Sequence, residues 1–129
     1  MKGYLTNIER DTLENGDYRR VLFTGSHTQL VLMTLQPGEE IGREVHHGHD
    51  QFIRVEAGTG VVLLDGREHP LAAGSAVVIP SGVDHNVINR SSDTPLRLYT
   101  LYSPPEHPDG TVQRTKAEEQ AATREAGSR

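Results

Sequence analysis

The fold is decided by the stretch GEEIGREVHHGHDQFIRVEAG, residues 38–58, together with GSAVVIPSGVDHNVIN, residues 74–89. In both stretches, glycine or proline stands where a strand must turn, and side chains able to bind metal lie between these turns. The two patterns are Gly38-x5-Glu44-x-His46-x4-Gln51-x6-Gly58 and Gly74-x5-Pro80-x-Gly82-x2-His85-x3-Asn89. They predict short strands joined by turns, with side chains able to bind metal one strand period apart.

The sequence around these stretches is also typical of short strands separated by turns. Asp65-Gly66 predicts a two-residue hairpin turn, because both residues tolerate positive φ. We predict strands at 18–23, 28–35, 40–46, 51–57, 61–64, 67–71, 75–79, 85–89 and 96–102. Strands this short and evenly spaced are typical of a β-sandwich or barrel. Thr115 and Glu118 have capping-box spacing and predict a short helix after the proline-rich loop 103–110.

Length and composition agree with one all-β domain. The chain has 129 residues, of which 34% are hydrophobic, and its 13 glycines and 7 prolines favour tight turns over a helical bundle. We expect residues 1–129 to form a single domain, with a barrel core at about 18–102 and a loop and helical tail at 103–129.

Composition also limits the partners. Without cysteine the chain has no disulfide framework, and cysteine is neither nucleophile nor ligand. The formal net charge is −5 without a basic stripe, so we expect no nucleic-acid partner. No apolar run approaches 18 residues, and the N-terminus lacks a signal-peptide core, so we expect no membrane association and a cytoplasmic location.

Four side chains in the two stretches predict a metal site. Glu44 and His46 are two residues apart, so they share one face of a strand. Gln51 opens the next strand after a four-residue loop, and we expect it to pair near the end of the preceding strand. His85 comes from a distant strand. Two imidazoles with one carboxylate form the donor set of non-haem Fe(II) sites, which zinc, manganese and nickel also accept.

A second register uses His47 and His49. In that register a carboxylate should follow after three or four residues, but Ile53 and Arg54 stand there. We therefore favour the first register and place His47 and His49 in a loop at the barrel mouth.

Both stretches resemble the two signature motifs of the cupin family, over about residues 30–102. The second stretch matches at every defined position. The first departs from the family pattern, which has histidine where Glu44 stands and glutamate where Gln51 stands. A barrel in which Gln51 only forms hydrogen bonds and no metal is kept is therefore the alternative, and Asp50 is a candidate for orienting a ligand imidazole.

The resemblance implies a jelly-roll barrel of the double-stranded β-helix type, a homodimer and one divalent metal ion (Fe, Mn, Ni or Zn). It places the ligands at Glu44, His46, Gln51 and His85. It does not imply a reaction, because function depends on the site and not on the fold.

We expect a metal-dependent enzyme acting on a small organic molecule, with dioxygenase-, isomerase- or cyclase-type chemistry. Glu44, if it is not a ligand, is the candidate general base, and His107 is a candidate acid or base if its loop folds over the mouth. Otherwise His107 is an exposed loop histidine. The alternative function is a non-catalytic barrel that binds or senses a small ligand.

The predicted strands 18–23 and 28–35 have apolar side chains on both faces, which favours a homodimer. Cover from the segment 1–8 or from the C-terminal helix within one chain is the alternative.

Overall fold

Two antiparallel β-sheets face each other around one apolar core. A computed structural model describes residues 2–127. Met1, in the predicted N-terminal segment, and residues 128 and 129, in the predicted tail, lie outside the described residues. The elements are α1 (Ile8–Glu14), β1 (Arg19–Thr24), β2 (Gln29–Leu35), β3 (Asp50–Ala57), β4 (Gly60–Leu64), β5 (Arg67–Leu71), β6 (Ala76–Ile79), β7 (His85–Ile88), β8 (Leu96–Ser103), β9 (Val112–Gln113) and α2 (Lys116–Gly127).

The larger sheet has the strand order β6-β3-β8-β2-β1-β9, and the smaller has the order β5-β4-β7. Strand side chains alternate faces, so each sheet turns one apolar face inward. The core joins Met33, Ile53 and Leu98 of the larger sheet to Val62 and Val87 of the smaller one. This arrangement confirms the all-β jelly-roll prediction with a C-terminal helix.

Two predicted turns depend on positive φ. Asp65 (φ 49°) and Gly66 (φ 80°) join β4 to β5 in a two-residue hairpin, as predicted. Gly58 ends β3 with a φ of 87°, and a Cβ at this position would lie 2.3 Å from the carbonyl oxygen of Pro95. Only glycine therefore fits there, which explains the end of the first motif.

Two predictions about the first motif are wrong. Segment 40–46 is not a continuous strand, because it forms only the isolated bridges Glu40–Ile88 and Glu44–His85. Gly42, with a φ of 113°, interrupts the pleat between them. Gln51 does not pair with the end of that segment. Its partners are Ile79 on β6 and Tyr102 on β8, so it lies on an interior strand of the larger sheet, next to the edge strand β6.

Helix α1 was not predicted, although its N-cap could have been recognised. The side chain of Asn7 accepts a hydrogen bond from the backbone N–H of Arg10 at 3.0 Å, and acidic residues follow in the first turn. The helix packs against β2, β3 and β8, where Leu32 is buried on the face opposite the core. Tyr4 also stacks on Phe23 at 5.2 Å. The N-terminal segment therefore covers part of the face that led us to predict a homodimer.

The C-terminal tail is anchored on the barrel. The hydroxyl of Thr115 accepts a hydrogen bond from the N–H of Glu118 at 3.1 Å, which confirms the predicted cap of α2. The ammonium of Lys116 donates to the Ile41 carbonyl at 2.7 Å and to the Tyr18 hydroxyl at 3.1 Å. Strand β9 adds to β1 at the edge of the larger sheet. Neither helix within residues 2–127 has the length and apolarity needed to cross a membrane.

Candidate functional site

The predicted residues Glu44, His46 and His85 meet at one end of the barrel. The N–H of Glu44 donates to the His85 carbonyl at 2.8 Å, and the N–H of His85 donates to the Glu44 carbonyl at 2.9 Å. The Oε2 of Glu44 lies 2.9 Å from Nε2 of His46. The ring centroids of His46 and His85 are 5.2 Å apart. The favoured register therefore brings these three side chains together.

His85 is held in the form that a metal site needs. Its Nδ1 lies 2.9 Å from the carbonyl oxygen of Val83, and a carbonyl can only accept. Nδ1 therefore carries a proton, and in the neutral ring the lone pair is on Nε2. Metal-binding histidines are commonly oriented by such a bond from the second ring nitrogen. Because only 5% of His85 is exposed, this orientation is fixed by packing as well.

Gln51 supplies an unsatisfied oxygen. The residue is buried, and its Nε2 donates to Oγ1 of Thr100 at 3.0 Å. Its Oε1 is also buried and has no hydrogen-bond partner. Leaving a buried acceptor unsatisfied costs roughly 1–3 kcal/mol. Such an atom therefore calls for a ligand, a water molecule or an ion.

The donor chemistry fits a divalent metal ion, although the side chains are not drawn around a common centre. Among residues 2–127, no group of three or more His, Asp or Glu side chains is arranged to hold an ion. The free oxygen of Gln51 and the fixed tautomer of His85 are nonetheless what a metal ligand requires. With His46 and Glu44 they offer two nitrogens and two oxygens, a mixed set that several divalent metals accept.

The proline-rich loop 103–110, which we call the cover loop, lies over the barrel mouth, and the sequence analysis missed its Glu106. Its Glu106 places Oε2 at 3.1 Å from Nε2 of His49 and at 3.8 Å from Nδ1 of His46. The Nδ1 of His49 lies 2.8 Å from the Pro104 carbonyl. His49 thus lies in the mouth loop, as predicted, but its contacts are to the cover loop. No local sequence pattern marks Glu106, because its partners are more than fifty residues away.

Gln29 fastens the cover loop from inside the barrel. Its Oε1 accepts from the N–H groups of Glu106 at 3.2 Å and of His107 at 3.0 Å. Its Nε2 donates to the His107 carbonyl at 2.7 Å and to Oγ1 of Thr24 at 2.9 Å. The side chain is fully buried. The loop is therefore tied to β2 through one side chain that satisfies its own polar groups completely.

His107 folds inward instead of standing in solvent. Its ring centroid is 5.1 Å from that of Tyr102, and its Nε2 is buried without a hydrogen-bond partner. Burial lowers the pKa of His107 to about 3, and the positive charge of Arg19 adds to this effect. The imidazole is therefore uncharged near neutral pH.

Strand β8 carries two tyrosines, Tyr99 and Tyr102. Tyr102 faces the interior of the barrel and Tyr99 does not. The odd spacing between them predicts that only one faces inward. Burial raises the pKa of Tyr102 above its usual range, so its phenol stays protonated.

The remaining histidine and carboxylate of the mouth lie apart from this cluster. His47 is exposed, as the favoured register predicts. The Oδ1 of Asp50 accepts from the N–H of Ser81 at 3.0 Å. Asp50 therefore stabilises the turn before β7, and the prediction that it orients a ligand imidazole has no support in its contacts.

A jelly-roll barrel with a histidine cluster at one end defines the class of protein. The family described as Cupin domain matches residues 31–102, more than half of the chain, and the chain belongs to this family. It is similar to YrkC of Bacillus subtilis strain 168, an uncharacterized protein, with 46% identity over 127 residues. That alignment covers 94% of this chain and 68% of YrkC.

Two solved structures show the same likeness. The crystal structure of BH2720 from Bacillus halodurans has 44% identity and a TM-score of 0.88, covering 93% of this chain and 95% of that one. The structure of KdgF from Halomonas sp. has 25% identity and a TM-score of 0.67, covering 82% of this chain and 96% of that one. The family and the fold are thereby established, whereas the reaction is not.

Proposed function

We propose that the protein binds one divalent metal ion (Fe, Mn, Ni or Zn) at Glu44, His46, Gln51 and His85. We further propose that it is an enzyme acting on a small organic molecule at this site. The observation that carries the proposal is the buried Oε1 of Gln51, which has no hydrogen-bond partner. A metal ion would satisfy this atom and use the lone pair on Nε2 of His85.

A bound divalent ion supplies a Lewis acid that polarises a substrate oxygen. The other parts of the chemistry belong to the chain itself. The carboxylate of Glu44 lies 2.9 Å from Nε2 of His46, and it is the candidate general base when it is not a ligand. The neutral phenol of Tyr102 is suited to donate a hydrogen bond to a substrate oxygen. The cover loop lies beside these groups at the mouth.

In this proposal His107 forms a hydrogen bond to the bound molecule and does not act as an acid. With a pKa of about 3 it carries no proton to give at neutral pH. Its unpartnered Nε2 instead offers a hydrogen bond to a bound molecule. We therefore assign proton abstraction to Glu44 and hydrogen bonding to His107.

Metal analysis tests the proposal. Protein purified without chelator, or reloaded in turn with Fe(II), Mn(II), Ni(II) and Zn(II), should hold about one ion per subunit. His46→Ala and His85→Ala should each abolish stoichiometric binding. His49→Ala is the matched control and should retain the metal, because both ring nitrogens of His49 contact the cover loop. Equal loss in all three variants would favour the His47/His49 register.

A fourth variant tests Gln51 directly. Gln51→Glu replaces the amide oxygen with a charged carboxylate and should keep or raise metal affinity. A lower affinity would show that Gln51 is not a ligand. If no ion binds to the wild type after reloading, the metal site itself is wrong.

A panel of small organic substrates separates the enzyme from the alternative, a non-catalytic binding or sensing barrel. Turnover by the metal-loaded protein that is lost in His46→Ala supports the enzyme. Saturable binding of a small molecule without turnover supports the binding barrel.

We also propose that the protein is a homodimer. Helix α1 and Tyr4 cover the outer faces of β2 and β1, so the contact is expected elsewhere. Leu5 is 97% exposed, and Val78, on the edge strand β6, is 65% exposed. Exposed apolar side chains on an open sheet edge favour association with a second copy.

A further inference from the structure

Strand β1 carries a buried arginine on its inner face. Arg19 and Val21 are two residues apart and both are buried, so both point toward the core. Only 5% of Arg19 is exposed. Its neighbour Arg20 points outward, where it pairs with Asp17 at 3.4 Å in solvent.

The charge of Arg19 has no counter-charge. None of the ion pairs among side chains in the described part of the chain includes it. Its Nη1 donates to the neutral Oε1 of Gln113 at 2.7 Å, and its Nε is buried without a partner. The ring of Tyr18, 5.3 Å from the guanidinium carbon, is the other favourable contact. An unpaired buried charge is strongly unfavourable, so the protein keeps Arg19 at a cost in stability.

A surface crevice lies beside Gln113, the hydrogen-bond partner of Arg19. His107, Thr111 and residues of α2 also line this open crevice, whereas Arg19 lies behind Gln113, and its volume is about 560 Å³. That volume falls within the range of small-molecule pockets, roughly 300–1,000 Å³. The one carboxylate in its wall, that of Glu118, already accepts a hydrogen bond from the backbone N–H of Arg114.

Ring contacts connect the wall of the crevice to the candidate metal site. The ring of His107 packs on Tyr102, and the ring of Tyr102 lies 6.1 Å from that of His46. The positive charge of Arg19 acts on both His107 and Tyr102. Arg19, His107 and Tyr102 therefore lie between the crevice and the imidazole cluster.

We propose that Arg19, Gln113 and His107 form a carboxylate-binding subsite, and that the molecule the protein acts on is a small organic acid. The guanidinium offers a planar fork of donors that matches a carboxylate, and the free Nε would take one of its oxygens. The unpartnered Nε2 of His107 provides a neutral hydrogen-bonding group beside it. The identity of this molecule as a substrate rests on the proposed function, whereas anion binding by Arg19 does not.

Calorimetric titration with matched probes tests the subsite. Benzoate and succinate are the probes, and benzamide and succinamide are their uncharged counterparts. The full chain, metal-free and metal-loaded, should bind at least one acid at least about tenfold more tightly than its amide. Equal affinity for acid and amide, or no binding of either acid at about 10 mM, overturns the proposal.

Variants then test whether Arg19 binds the acid. Arg19→Met should lower the affinity for the acid at least about tenfold, whereas the matched control Arg20→Met should leave it unchanged. Arg19→Met should also raise the midpoint of thermal unfolding, because it removes an unpaired buried charge. Unchanged acid binding in Arg19→Met overturns the subsite, and a lower midpoint assigns Arg19 a structural role instead.

Gln113→Glu keeps the test decisive if Arg19→Met does not fold. The new carboxylate would form a buried ion pair with Arg19. The variant should therefore be more stable than the wild type and should bind the acid more weakly. Acid binding equal to that of the wild type would contradict the proposal. Metal content, measured on the same samples, should stay the same in all of these variants, so a failure of the metal site is distinguished from a failure of the subsite.

Discussion

Replacing Gln29 by methionine should release the cover loop while keeping the volume of the side chain. Gln29 makes three hydrogen bonds to the loop: from the N–H groups of Glu106 and His107, and to the His107 carbonyl. Each such bond contributes a net 0.5–1.5 kcal/mol, roughly. Some freed loop groups can turn to water, so Gln29→Met should lower the free energy of unfolding by about 2–4 kcal/mol.

Urea unfolding followed by tyrosine fluorescence measures this change, and amide hydrogen exchange locates it. The N–H groups of Glu106 and His107 should exchange much faster in Gln29→Met, while amides in the middle of β3 should lose only the protection that global stability accounts for. Gln36→Met is the matched control, because Gln36 is exposed on the surface and should change stability by less than about 0.5 kcal/mol. A loss below about 1 kcal/mol in Gln29→Met, with slow exchange in the loop, would refute the anchoring role of Gln29.

Three further predictions follow from burial, backbone geometry and exposed apolar surface. The pKa of His107 is about 3 in the folded chain and near 6.5 when unfolded, so the unfolded state binds more protons between these values, and stability falls as the pH drops through this window. His107→Gln should remove about 1–2 kcal/mol of the stability difference between pH 7 and pH 5, measured by urea unfolding of metal-free protein, and an unchanged difference would contradict the assignment. Gly58→Ala should lower stability by about 3 kcal/mol, because its Cβ would collide with Pro95, whereas Gly66→Ala, with a similar φ but open space, should cost about 1 kcal/mol; equal losses in thermal unfolding would remove the steric argument. Sedimentation equilibrium at micromolar concentration should show a homodimer of about 28 kDa, twice the 14.2 kDa of the chain, and a single 14 kDa species would exclude it.

The barrel could be predicted from sequence because its turns carry local chemistry. Asp65-Gly66 and Gly58 fix positive φ at defined places, and the alternation of apolar residues fixes the inner face of each strand. The family resemblance, and not the spacing alone, placed His46 and His85 together. These features depend on residues close in the chain or on a motif that the family shares.

The contacts that close the site could not be predicted in this way. Gln29 meets the cover loop across 78 residues, and Glu106 meets His46 without any periodic pattern that links them. Gln51 pairs with Ile79 and Tyr102 because the sheet order is set by long-range packing, which a pass along the chain does not show. Helix α1, in contrast, could have been predicted from local sequence, because Asn7 followed by acidic residues in the first turn is a helix start signal.

The two backbone hydrogen bonds between Glu44 and His85, which we call the rung, have a consequence for protein engineering. They join the stretch 38–58 to the stretch 74–89, so a displacement of one backbone moves the other with it. In a chimera that takes residues 38–58 from one relative and keeps residues 74–89 of another, we expect the proposed metal-binding side chains of the two stretches to be out of register. The two stretches should therefore be exchanged only as a pair, and a library that varies the mouth while preserving this rung has the best prospect of yielding folded barrels.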